Sequence, residues 1–189
     1  MRKRRYTETD WIELGLAELS RDGPEALKLE AICKASGLTR GSFYHHFDSH
    51  KTYLLALANK WLEVQTSDVV SKVDQSLSVS DQYKALSDAA MSIDYRLELG
   101  IRELARRIPE VARVVDEADS TRMDVVAEIY EARFNLTHES AREYAFLEYS
   151  AFSGIILINP NIDIQSQRKL AKKFDETIVK ALRLKKNHG

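Results

Sequence analysis

Between residues 39 and 51 the chain gathers side chains suited to gripping rather than to reacting: Thr39, Arg40, Ser42, Tyr44, His45, His46, His50 and Lys51. Hydroxyl, guanidinium, phenol, imidazole and ammonium groups are the donors that meet base edges and phosphate oxygens. Catalytic chemistry has no comparable concentration. There is no Gly-rich phosphate loop, no metal-spaced His or Glu cluster and no nucleophile of the G-x-S-x-G type, so neither enzymatic turnover nor a cofactor is expected. The adjacent pair His45 and His46 is not read as a metal site, because neighbours on a helix point about 100 degrees apart. The single cysteine, Cys33, excludes an internal disulfide and is read as a small buried side chain.

These donors need an element to aim them. Thr39 is placed to open a helix that begins with the donors Thr39, Arg40 and Ser42 and carries Tyr44, His45 and His46, while Phe43 and Phe47, at i and i+4, face inward. The preceding helix is expected from about Lys28 to Ser36, with Leu29, Ile32 and Cys33 inward, closing on Gly37. Ahead of it, a helix capped by Thr9 carries Trp11, Ile12, Gly15, Leu16 and Leu19 inward and stops at Gly23 and Pro24. A fourth begins near Ser49 and is expected to continue through Tyr53, Leu54, Leu57, Trp61 and Val64 to about Val73 without a break. Two short helices hinged on a glycine have helix-turn-helix spacing, in which the second helix lies in the DNA major groove and contacts bases through its N-terminal residues.

The stretch GLTRGSFYHHFDSHKTYLL resembles the signature of the tetracycline-repressor (TetR) family, and the likeness runs over roughly residues 9 to 60. The resemblance implies an all-α chain with a three-helix DNA-binding domain at residues 1–50 and a helical ligand-binding and dimerisation domain at residues 51–189. It also implies roles. Thr39, Arg40, Ser42 and His45 would lie near bases, Tyr44 and His46 would bind phosphates, and Gly41 would let the helix start close to DNA. Two positions depart from the pattern. Leu27 with Lys28 stands where the family has Ser or Thr, which removes a phosphate-donating cap, and His50 with Lys51 stands where it has Lys, so that Lys51 substitutes for the missing charge. The partners implied are double-stranded operator DNA, a small-molecule effector and a second copy of the chain, joined through the last two long helices.

Composition fits such a chain. Gly and Pro total only ten residues, so long helices are expected. Asp81 to about Arg107 reads as one long helix and Pro109 to about Phe134 as another, followed by a turn at Asn135 to Thr137. From His138 to Ile158 the chain is apolar almost all round, which calls for cover on more than one side. A last helix, about Ser166 to Leu184, carries a stripe of Leu170, Phe174, Ile178, Ala181 and Leu182. The first 60 residues hold ten Lys and Arg against eight Asp and Glu, and the remainder 18 against 21, a weak asymmetry. Arg2 to Arg5 lead into polar residues rather than a signal peptide, and no run approaches a membrane span, so the expected location is the cytoplasm. The basic start reads equally as a solubilising tail or as an arm on phosphates or a minor groove. The expectation is a repressor that binds a palindromic operator as a homodimer and is released by a ligand. The alternative is a helical interaction protein of the same fold that does not bind an operator.

Overall fold

A computed structural model describes residues 6–71 and 73–186, with side chains to residue 182. The basic segment Arg2 to Arg5 lies outside the described residues. Among those described, every regular element is a helix: α1 Glu8–Asp22, a 3-10 turn Pro24–Leu27, α2 Leu29–Ser36, α3 Arg40–Tyr44, α4 His50–Leu62, a π-helical turn Glu63–Ser67, α5 Asp68–Ser71, α6 Val79–Ala90, α7 Tyr95–Ala105, α8 Pro109–Phe134, α9 His138–Ile158 and α10 Ile164–Lys186. None of them is long and apolar enough to cross a membrane. The chain falls into two compact units, Met1–Ser67 with Asp94–Ala118, and Asp68–Ile93 with Asp119–Gly189. Compactness thus divides the chain differently from a single cut at residue 50. Leu97, Ile101, Leu104, Val111, Val114 and Val115 share one apolar core with Trp11, Leu19, Phe43, Tyr53 and Trp61.

In the first unit, α1 starts earlier than Thr9. Thr7 Oγ1 accepts the Asp10 amide at 3.2 Å, and Asp10 Oδ2 accepts the Thr7 amide at 2.8 Å. This reciprocal box satisfies two otherwise orphaned donors, which a lone Thr9 hydroxyl would not. The Gly37 stop is as expected, with a left-handed φ of 68° that any side chain would strain. Thr39 and Ser49 cap α3 and α4 by accepting the Ser42 and Thr52 amides at 3.2 and 3.0 Å. The fourth helix is not unbroken to Val73. After Leu62 it widens into the π turn, which buries Gln65 and Thr66. Nor is 81–107 one helix. It breaks between Ala90 and Tyr95, where Asp94 Oδ1 accepts the Arg96 and Leu97 amides at 3.0 and 3.1 Å and so starts α7 afresh.

Two close approaches set the packing of this unit. α1 meets α4 at Gly15, where an added Cβ would stand 2.1 Å from the Tyr53 hydroxyl oxygen. α1 meets α7 at Gly100, where an added Cβ would stand 2.8 Å from the Leu19 side chain. The expectation for Cys33 holds: it is buried, and burial pushes its thiol pKa up.

The second unit packs the later part of α8 on α9 and α10 around Ala127, Tyr130, Ala141, Ala145, Ile178 and Leu182. A polar network crosses it. Tyr83 and Tyr130 donate their hydroxyls to the two oxygens of Glu148 at 2.7 and 2.6 Å, and Arg133 grips Asp175 through two hydrogen bonds at 2.5 and 3.1 Å. Burial lifts the Glu148 carboxyl above its ordinary value. The apolar character of α9 is only partly used within this unit. Phe146, Leu147, Leu157 and Ile158 are exposed, as are Ile164 and Leu170 of α10.

Candidate nucleic-acid interface

The helix expected to read DNA is only five residues long, far too short to be stable alone. It is held by Phe43, which is fully buried and lies edge-on to Trp11 at 5.4 Å and to Tyr53 at 5.1 Å between ring centroids. Phe47, just past the helix, is buried beside it at 5.2 Å. These rings fix the inward face, and the outward face follows from helical geometry. Thr39, Arg40, Gly41, Tyr44 and His45 are exposed, with Tyr44 at 51%. Ser42 and His46 are half-buried. The donors from Thr39 to His46 thus lie on one short element, its cap and the turn after it. His45 and His46 present their rings edge-to-face at 5.1 Å, and no group of three or more potential metal ligands forms among the described residues.

His50 and Lys51, in the first turn of α4, differ in orientation. His50 points inward: its Nε2 donates to the Leu27 carbonyl oxygen at 2.6 Å, across 23 residues of chain. That bond joins the two positions at which the sequence departs from the family pattern. α2 has no side-chain cap at Lys28, and the carbonyl just ahead of it is held instead by an imidazole from α4. Lys51 is exposed and donates to Glu110 Oε1 of α8 at 2.8 Å. The Lys51 ammonium holds the Glu110 carboxyl below its ordinary value. Arg40 likewise pairs with Glu30 of α2. Neither acidic partner was singled out from the sequence. Glu30 lies ten residues from Arg40 and Glu110 lies 59 from Lys51, separations with no local signature.

Residues 12–57 match the family model described as bacterial regulatory proteins, tetR family. The head of this chain is therefore similar to the DNA-binding segment of the TetR family. The match contains all of the residues discussed above except Trp11 and Glu110, and the matched family is one of regulators, not of enzymes. No curated protein matches the sequence. Among solved structures, the regulatory protein TetR from Rhodobacter sphaeroides is similar with a TM-score of 0.71 at 19% identity, covering 89% of this chain and 96% of that one. A transcriptional regulator from a Rhodococcus species gives 0.69 at 14% identity, covering 80% and 82%. The fatty acid degradation regulator FadR from Bacillus halodurans gives 0.64 at 17%, covering 93% and 95%. These likenesses extend the TetR-type fold over nearly the whole chain.

Proposed function

We propose that this chain is a TetR-family repressor that binds a palindromic operator as a homodimer and is released by a small-molecule effector. The observation that carries the reading is the division of α3 between one buried face, anchored by Phe43, and one exposed face bearing Arg40, Tyr44 and His45. Residues 1–50 read DNA, and residues 51–189 sense the effector and dimerise. Thr39, Arg40, Ser42 and His45 lie toward bases, Tyr44, His46 and Lys51 toward phosphates, and Gly41 allows close approach. His50 contributes by holding the start of α2 through the Leu27 carbonyl. One such helix spans too few base pairs for useful discrimination, so a two-fold pair is required, with half-site centres about 34 Å apart or a multiple of that.

The surface that supports pairing is the apolar strip of α9 and α10, where Leu157 is 71% and Ile158 is 85% exposed. Apolar side chains at such exposure on two successive helices suit a second copy. The location that follows is the cytoplasm, where operator DNA is found.

Selection of genomic fragments by the purified chain, followed by footprinting, tests the reading. The expected result is an inverted repeat; a single asymmetric half-site, or no enriched sequence, refutes it. On the selected operator, Arg40→Ala is expected to cost about 1–3 kcal/mol and relax preference at one position per half-site, whereas Tyr44→Phe weakens all sequences alike. Titrating candidate effectors into the labelled complex then tests release.

A further inference from the structure

We propose that Glu110, outside the matched DNA-binding segment, competes with DNA phosphate for Lys51 and so sets how tightly the head holds DNA of any sequence. The inference rests on the reading that Lys51 meets phosphate. Its basis is the geometry of the Lys51–Glu110 pair. Glu110 sits in the first turn of α8 with its Oε1 2.8 Å from Lys51 Nζ, while its Oε2 is buried and has no hydrogen-bond partner. One oxygen is therefore pinned against the protein and the other is aimed at the ammonium. Arg113, at 3.9 Å from Oε1, is the other cation near it. Lys51 itself is mostly exposed and lies within the matched segment.

An ammonium moving from Glu110 to a phosphate exchanges one anion for another, so its gain is only the difference between the two. The carboxylate it leaves behind is partly buried and keeps little compensation beyond Arg113. The contribution of Lys51 to sequence-independent binding is thereby reduced, whereas the contacts of α3 to bases are untouched. Binding to every sequence is weakened by the same factor, so non-specific residence falls while the ratio of specific to non-specific affinity stays as the base contacts set it. The weak positive balance of the first 60 residues works in the same direction.

The test uses the full chain and a labelled random-sequence duplex, with binding followed by anisotropy across a salt series for the unmodified chain, Glu110→Gln, Lys51→Gln and the double variant. Glutamine keeps the shape of the side chain, and circular dichroism checks that each variant is folded. Glu110→Gln is expected to tighten binding about two- to fivefold, the range of an exposed ion pair. The slope of log affinity against log salt should steepen by about one. In the Lys51→Gln background the same change should do nothing. An unchanged affinity and slope for Glu110→Gln overturns the inference, and so does a gain that persists without Lys51, which would be a general field effect. If the chain binds duplex but Lys51→Gln is silent, this inference fails while operator binding stands; if the chain binds no duplex at any salt, both fail.

Discussion

Adding one methyl group at Gly15 tests how the recognition helix is held. A Cβ there would lie 2.1 Å from the Tyr53 hydroxyl oxygen and 2.8 Å from Leu57 Cδ2, so Tyr53 must retreat by more than an ångström. It has nowhere to go. Its ring is fully buried, 5.1 Å from Phe43 and 4.9 Å from Phe47, and its hydroxyl donates to the Trp11 carbonyl at 3.1 Å. Overpacking of this kind costs about 1–3 kcal/mol, and losing the buried hydrogen bond adds about 1 kcal/mol. Gly15→Ala should therefore destabilise the first unit by about 2–4 kcal/mol. Tyr53→Phe alone removes only the hydrogen bond and should cost about 1 kcal/mol. In the double variant the closest clash is gone, so its cost should fall below the sum of the two by about 1 kcal/mol or more, a coupling expected of residues in contact. Both tryptophans, Trp11 and Trp61, are buried in this unit, so denaturation followed by their fluorescence reports on it directly. Additive costs would show that Tyr53 yields without strain and would refute the account.

Thr7→Ala removes the acceptor of the Asp10 amide and should lower the stability of the first unit by about 1 kcal/mol, visible as a lower thermal midpoint; an unchanged midpoint would mean the α1 cap is dispensable. Glu148 binds its proton more tightly folded than unfolded, because burial raises its folded-state value above 4.5. Its contribution to stability is therefore largest at low pH and is lost as pH rises from about 4.5 through the folded value. Glu148→Gln should flatten that part of the pH dependence of unfolding, and a parallel curve would contradict the assignment. Replacing Leu157 and Ile158 together by Asp should give a monomer in sedimentation velocity at micromolar concentration if the exposed strip pairs two copies. A dimer that survives the double change would move the interface elsewhere.

The recognition helix was legible because its signals are local. A capping Thr39, two inward aromatics at i and i+4, and flanking stops at Gly37 and Ser49 all act within a dozen residues, and each has the role its type suggests. The misread places lacked such markers. The break between α6 and α7 contains no Gly or Pro and depends on Asp94 finding two amides, which a solvent-facing Asp in a continuous helix would not announce. The π turn changes the register after Leu62 without changing the apolar pattern, so Trp61, Gln65 and Thr66 all face inward at spacings that a straight helix also permits. Thr7 and Thr9 are equally good caps by type, and Asp10 at the third position decides for Thr7. The pairs His50 with Leu27 and Lys51 with Glu110 depend on tertiary packing across 23 and 59 residues and could be found only in three dimensions.

The division of labour within α3 has an evolutionary consequence. Its fold is specified by Phe43 and the Thr39 cap, whereas Arg40, Tyr44 and His45 are exposed and contribute little to holding the helix in place. Exposed substitutions away from caps and cores usually change stability by no more than about 0.5 kcal/mol. If these three outward positions contact DNA as proposed, a duplicated copy of this chain can explore new target sequences through them while its scaffold stays intact, and a designer can retarget it by the same route.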